Sequence, residues 1–150
     1  MLKQQLEQDL KTALLSGDKD RATTLRGLKS VILYAEVDQG KRQEGLTDQE
    51  IIVLLAKEAK KRQESADLYI QGGNESSAAA ELNEKRLIES YLPEQLNDDE
   101  LAQIVDEVIA QLPEKNLQAM GKVIGSVKHR TEGVADGNRI AQMVKERLSN

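Results

Sequence analysis

The sequence predicts an all-α protein, and three observations carry that expectation. Apolar residues recur at spacings of three and four along the chain, and no stretch alternates in twos as a half-buried strand would. Thr47-Asp48-Gln49-Glu50 and Asn97-Asp98-Asp99-Glu100 each set a short polar side chain three residues ahead of a glutamate, the reciprocal arrangement that satisfies free N–H groups at a helix start. The two prolines, Pro93 and Pro113, fall where helical patterns stop, since the residue before a proline avoids helical angles.

Each element follows from such signals. Leu2, Leu6, Leu10 and Ala13/Leu14 form a first stripe that ends near Gly17. Asp18 can cap a second helix carrying Ala22, Leu25, Leu28, Ile32 and Ala35 and ending by Gly40. Thr47 opens a long third helix to about Gln71, stopped by Gly72-Gly73, and Asn74 can cap a fourth that runs to Tyr91. The Asn97 box opens a fifth with Leu101, Ile104, Val105, Val108 and Leu112, and Pro113 ends it. A sixth takes roughly Leu117 to Arg130 and closes at Gly133. Asp136 can cap a seventh whose Ile140, Met143, Val144 and Leu148 face inward. The expected division is an N-terminal helical domain over 1–92 and a small C-terminal three-helix domain over 97–150, with the boundary at 92–97.

Composition excludes several function classes. With no cysteine among 150 residues there is no disulfide, no thiolate metal site and no thiol nucleophile, which fits a reducing compartment. There is no Phe or Trp and only three tyrosines, which argues against a reader of single strands that stacks bases on aromatic rings. The N-terminus lacks a signal-peptide core, and no segment approaches the ~20 apolar residues of a membrane helix. The expectation is a soluble cytoplasmic protein with no membrane partner, no cofactor and no metal. Net charge is −5, which argues against indiscriminate binding of DNA or RNA. The charge is uneven: residues 1–113 carry 14 Lys/Arg against 22 Asp/Glu, giving −8, and residues 114–150 carry 7 against 4, giving +3. A polyanion is therefore expected to meet the end of the chain.

Tyr91-Leu92-Pro93-Glu94-Gln95-Leu96 and Met120-Gly121-Lys122-Val123-Ile124-Gly125, followed by Gly133, Ala135-Asp136-Gly137 and Val144-Lys145-Glu146-Arg147-Leu148, resemble the GatB/YqeY family. Leu25-Arg26, Leu28 and Ile32 within Arg21 to Glu36, and Lys57-x-x-Lys60-Lys61-Arg62-x-Glu64-Ser65, look like the N-terminal half of its free-standing YqeY-like members, so the resemblance covers essentially the whole chain. Ile124 stands where the pattern leads one to expect methionine, a volume-preserving departure. The resemblance implies an N-terminal helical bundle with a small C-terminal helical domain. It also implies a link to glutamine-dependent amidation of mischarged tRNA, because the similar tail of the amidotransferase B subunit helps hold tRNA.

The residues themselves offer no catalytic constellation. Neither a cysteine nucleophile nor a Gly-x-x-x-x-Gly-Lys-Ser/Thr phosphate cradle is present, and Gly72-Gly73-Asn74-Glu75-Ser76-Ser77 reads as a glycine stop before a capped helix. Any carbon–nitrogen ligase activity would belong to the multi-subunit enzyme. His129, the single histidine, reads as a last-turn residue favoured by the helix dipole together with Lys128 and Arg130. Asp98-Asp99 and Asp106-Glu107 read as solvated surface pairs. The cluster Lys57, Lys60, Lys61, Arg62 reads as an ion-pair network with Glu58, Glu64, Glu81, Glu84 and Glu89.

The candidate site is a basic surface near the C-terminus. Met120, Val123, Ile124 and Val127 share one side of the sixth helix, which leaves Lys122, Gly125 and His129 on the exposed face with Lys128 and Arg130 on its flanks. Arg139 and Lys145 are expected to project from the outer side of the seventh. Such side chains contact phosphates rather than bases, and a glycine on the outer face admits a close backbone approach. The expected partner is structured tRNA or a tRNA-processing enzyme; the alternative is a protein–protein adaptor that makes no RNA contact.

Overall fold

A computed structural model describes residues 1–94 and 96–149, so Gln95 of the Tyr-Leu-Pro segment lies outside the described residues. The chain is all-helical: seven α-helices and one 3-10 turn, with no strand, make up the described residues. It divides into two compact units, Met1–Leu92 and Pro93–Asn150.

The first unit holds α1 (Leu2–Ser16), α2 (Lys19–Asp38), α3 (Asp48–Gln71) and α4 (Glu75–Glu89). Asp18 caps α2 by accepting the Arg21 N–H at 3.2 Å, and Asn74 caps α4 through the Ser77 N–H at 3.1 Å. Both halves of the Thr47 box form: Thr47 Oγ1 accepts the Glu50 N–H at 3.2 Å, and the Glu50 carboxylate accepts the Thr47 N–H at 2.8 Å. Such a cap contributes about 1 kcal/mol. Leu6, Leu25, Leu28, Ile32, Ile51, Leu55 and Ile88 pack into one apolar core, with Tyr91 and Leu92 against it. Two sequence expectations shift here. Leu14 is 49% exposed while Ala13 is buried, so the α1 stripe ends on the smaller residue. The fourth helix stops at Glu89 rather than Tyr91, and Tyr91 and Leu92 turn back with N–H bonds to the Ile88 and Glu89 carbonyls. The Tyr91 hydroxyl donates to Asp9 of α1; burial first, and then Asp9, push the phenol up to about 12.

One buried charge falls on the core stripe of α2, four residues after Ile32. Glu36 is 1% exposed, although it continues a helix whose other buried positions are apolar apart from Thr24. Its carboxylate accepts two hydrogen bonds from Lys3 Nζ, both at 2.9 Å, and one from the Leu46 N–H at 3.0 Å. Glu36 thereby fixes both the start of α1 and the connection between α2 and α3. Within the basic run of α3, Lys61 and Arg62 join ion pairs with expected partners: Lys61 with Glu58 at 3.2 Å, and Arg62 with Glu84 at 3.3 Å and Glu81 at 3.6 Å.

The second unit holds α5 (Asp98–Ala110), the 3-10 turn Leu117–Ala119, α6 (Met120–Arg130) and α7 (Gly137–Ser149). The Asn97 box forms, with the Glu100 N–H on Asn97 Oδ1 at 2.9 Å and the Asn97 N–H on Glu100 Oε2 at 3.0 Å. Leu101, Val105, Val123, Val127, Ile140 and Val144 are fully buried and define a three-helix core. The sixth helix starts later than its periodicity indicated. Asn116 accepts the Gln118 N–H at 3.0 Å, and that tight local turn gives Leu117–Ala119 3-10 rather than α geometry. Gly133 at φ 74 follows Glu132 at φ 57, and its N–H returns to the Lys128 carbonyl at 2.9 Å, closing α6 through two left-handed residues. Asp136 accepts the Asn138 N–H at 3.1 Å and so caps α7.

Candidate nucleic-acid interface

The outer face of α6 is built by elimination. Val123 and Val127 are buried, with Met120 and Ile124 packed beside them, so the opposite side of the helix faces solvent. Lys122, Gly125, His129 and also Gly121 are exposed there. A Cβ built on Gly125 or on Gly121 meets no atom within 4 Å. No internal packing requires either glycine, although each costs a helix about 1 kcal/mol relative to alanine.

The seven predicted residues do not form one equivalent set. Lys122, Gly125 and His129 share the open face. Lys128 lies on the shoulder toward α7: a Cβ on Gly137 would come within 3.2 Å of Lys128 Cε and 3.3 Å of Nζ. The glycine of Ala135-Asp136-Gly137 therefore leaves room for this lysine to lie across the start of α7. Lys145 is exposed, and helical spacing turns it about 200° from both Met143 and Arg147, which share the α5 side of α7. No ion pair involves Lys122 or Lys145 among the described residues.

Arg139 is placed otherwise than expected, and Arg130, exposed on the flank of α6 as expected, is committed to an ion pair. Arg139 does not project outward: Nε donates to Asp98 Oδ1 at 2.7 Å, Nη2 bonds the same oxygen, and Nη1 donates to the Leu96 carbonyl at 3.1 Å. Arg130 Nη2 donates to Glu107 Oε2 at 2.6 Å, and this guanidinium holds the Glu107 carboxyl below its usual range. Arg147 bonds Asp106 in the same manner. Three carboxylates expected to be merely solvated are thus the acceptors of three arginines, all on α5. The physical reason is that a helical wheel gives the direction of a side chain but not the neighbour it meets. The acidic face of α5 stands against the arginine-bearing sides of α6 and α7, and an arginine fork fits a carboxylate closely.

This folding-back also changes the electrostatic account. Counted over the whole second unit, 93–150, there are 7 Lys/Arg against 10 Asp/Glu, giving −3. The unit is therefore not a basic domain. With its three arginines paired, the unit's remaining positive charge is four lysines: Lys115, before the 3-10 turn, and Lys122, Lys128 and Lys145, with His129 beside Lys122. No group of His, Cys, Asp and Glu that could hold a metal ion occurs among the described residues, and no described helix is long and apolar enough to cross a membrane.

With this geometry in hand, comparison places the chain. A model of the YqeY-like protein family matches residues 3–148. The chain belongs to that family. It is similar to "Altered inheritance of mitochondria protein 41, mitochondrial" of Kluyveromyces lactis, 29% identical over 130 residues that cover 84% of this chain and 69% of the relative. It is also similar to the protein of the same name from Eremothecium gossypii, 32% identical over 87 residues that cover 58% of this chain and 46% of the relative. The second match thus spans under half the length of its relative.

Proposed function

We propose that this YqeY-like protein is a non-catalytic accessory module that holds structured tRNA through the outer face of α6. The observation that carries the reading is Gly125, an exposed helix-interior glycine with open space above it, set between Lys122 and His129. A backbone can approach such a helix closely, and flanking lysines supply point charges to phosphates without reading bases. The GatB/YqeY likeness supports the same reading, because the corresponding tail of the amidotransferase B subunit helps hold tRNA.

A second reading keeps the same face and changes the partner. Gly121 and Gly125 lie one turn apart, a spacing that also admits a protein helix at short distance, so the module could be an adaptor. Salt separates the two, because contacts to phosphates release counterions and weaken steeply with ionic strength. The test is a salt-titrated binding curve for a folded tRNA with wild type, Gly125→Gln and Lys122→Ala. Gly125→Gln should weaken binding while the protein melts slightly higher, and Lys122→Ala should flatten the salt slope by up to about one unit. Unchanged RNA affinity in both variants rejects the tRNA reading.

A further inference from the structure

The first unit carries two surfaces that its own fold leaves unused, and they are complementary. One is the end of the α3–α4 hairpin. The apolar core takes Ile51, Leu55 and Ala59 from α3 and nothing beyond; past that point Ala66 and Ala78 are the buried residues of the two helices. The nine residues from Gln63 to Gln71 carry the hairpin on by about 13 Å at 1.5 Å per residue. At its end Leu68 is 67%, Tyr69 40% and Ile70 55% exposed, three consecutive apolar residues wrapped around the helix terminus. From Gln63 to Glu84 the sequence holds no lysine or arginine, while Glu64, Asp67 and Glu75 are exposed.

The other surface is a groove of about 500 Å³ between α1 and α2. Its floor is apolar, with Leu6, Leu10 and the partly exposed Leu33; Val37, one turn further on the Leu33 face, is 60% exposed. Its walls carry four cations against two carboxylates. Glu36 is bonded by Lys3, and Glu7 lies 3.8 Å from Lys29, which leaves the exposed Arg26 and Arg42 as the surplus.

We propose that two copies of this chain associate by seating the acidic, apolar hairpin end of one in the basic, apolar groove of the other. Charge complementarity selects the occupant. A cation-free knob with exposed Leu68, Tyr69 and Ile70 matches a groove whose excess charge is arginine. Each copy carries both a knob and a groove, so every copy can act as donor and acceptor in the same contact. The surfaces lie in the first unit and are independent of the α6 face.

Sedimentation velocity of the nuclease-treated full chain over the micromolar range tests this. Wild type should self-associate, less so at high salt. Arg26→Glu/Arg42→Glu in the groove and Glu64→Lys/Asp67→Lys on the hairpin should each weaken association at least about tenfold by opposing like charges, with helical content unchanged. An equimolar mixture of the two variants should recover it, because the reversed surfaces match. Lys122→Ala should leave association intact, which separates this result from the tRNA reading. A wild-type chain that stays monomeric, association indifferent to both reversals, or a mixture that fails to recover overturns the proposal.

Discussion

Replacing Glu36 perturbs the first unit at the point where its helices and loops are tied together. In Glu36→Gln the volume is kept, and the amide oxygen can still accept from the Leu46 N–H. What is lost is the charge that answers Lys3, whose side chain is 38% exposed and can take up water. The structure therefore sets the cost at about 1–2 kcal/mol, below the 3–5 typical of breaking a fully buried pair. Glu36→Ala also strands the buried Leu46 N–H, worth a further ~1–3 kcal/mol. The pH dependence gives an independent sign. Hydrogen bonding from Lys3, and then from Leu46 with Lys3 and Arg42 charge, holds the Glu36 carboxyl below its ordinary 4.5 against the opposing effect of burial. A lowered carboxyl contributes stability that is complete above the unfolded value and is lost as pH falls through the folded one. Urea unfolding followed by circular dichroism should show wild type above Glu36→Gln at neutral pH, with the two converging as the solution is acidified below 4.5. A Gln variant as stable as wild type at neutral pH, or a gap that widens on acidification, refutes this account of Glu36.

Other expectations are briefer. Tyr91→Phe should cost about 1 kcal/mol at neutral pH through its lost bond to Asp9. It should also remove Tyr91's share of the stability lost between the ordinary phenol value of 10.0 and about 12, since a raised tyrosine stabilises only while protonated, so the variant should lose less than wild type over that range; alkaline melts alongside phenolate absorbance check both. Arg139→Ala should lower the melting point of the second unit by loosening the start of α5, yet reduce tRNA affinity less than Lys122→Ala does; equal losses of affinity would place Arg139 on the binding face after all. Limited proteolysis should cut first at 92–97, or in the connections near Gly40–Gly45 and Gly72-Gly73; a first cut inside 101–112 contradicts that division.

The features legible in the sequence were those written locally. Thr47 with Glu50, and Asn97 with Glu100, satisfy each other across three residues, so their boxes could be read before any packing was known. The 3.6-residue period placed Val123 and Val127 inward and Gly125 outward for the same reason. Long-range pairings left no such trace. Glu36 falls by spacing on the stripe of Leu25, Leu28 and Ile32, but nothing local says that Lys3, thirty-three positions away, and the Leu46 N–H converge on it. Arg139 sits forty-one positions from Asp98, and only the docking of α7 on α5 brings them together. Linear charge counting failed on the same ground: the +3 of residues 114–150 is folded against the acids of α5, and the unit as a whole is negative.

That partition assigns different work to the two cation types of the second unit. Arg130, Arg139 and Arg147 all set their guanidinium groups against α5 carboxylates, each donating to one carboxylate oxygen. Lys122, Lys128 and Lys145 stay on exposed surface, where a flexible ammonium carries charge without fixed geometry. If the arginines had faced outward, bidentate recognition of particular groups would be available, and base-edge readout with it. A lysine surface around an open glycine instead suits a phosphate backbone met by shape. The structural arginines and the outward lysines therefore make separable predictions within one small domain: Arg→Lys changes should disturb its stability, and Lys→Arg changes on α6 should leave both its stability and its salt-sensitive binding largely in place.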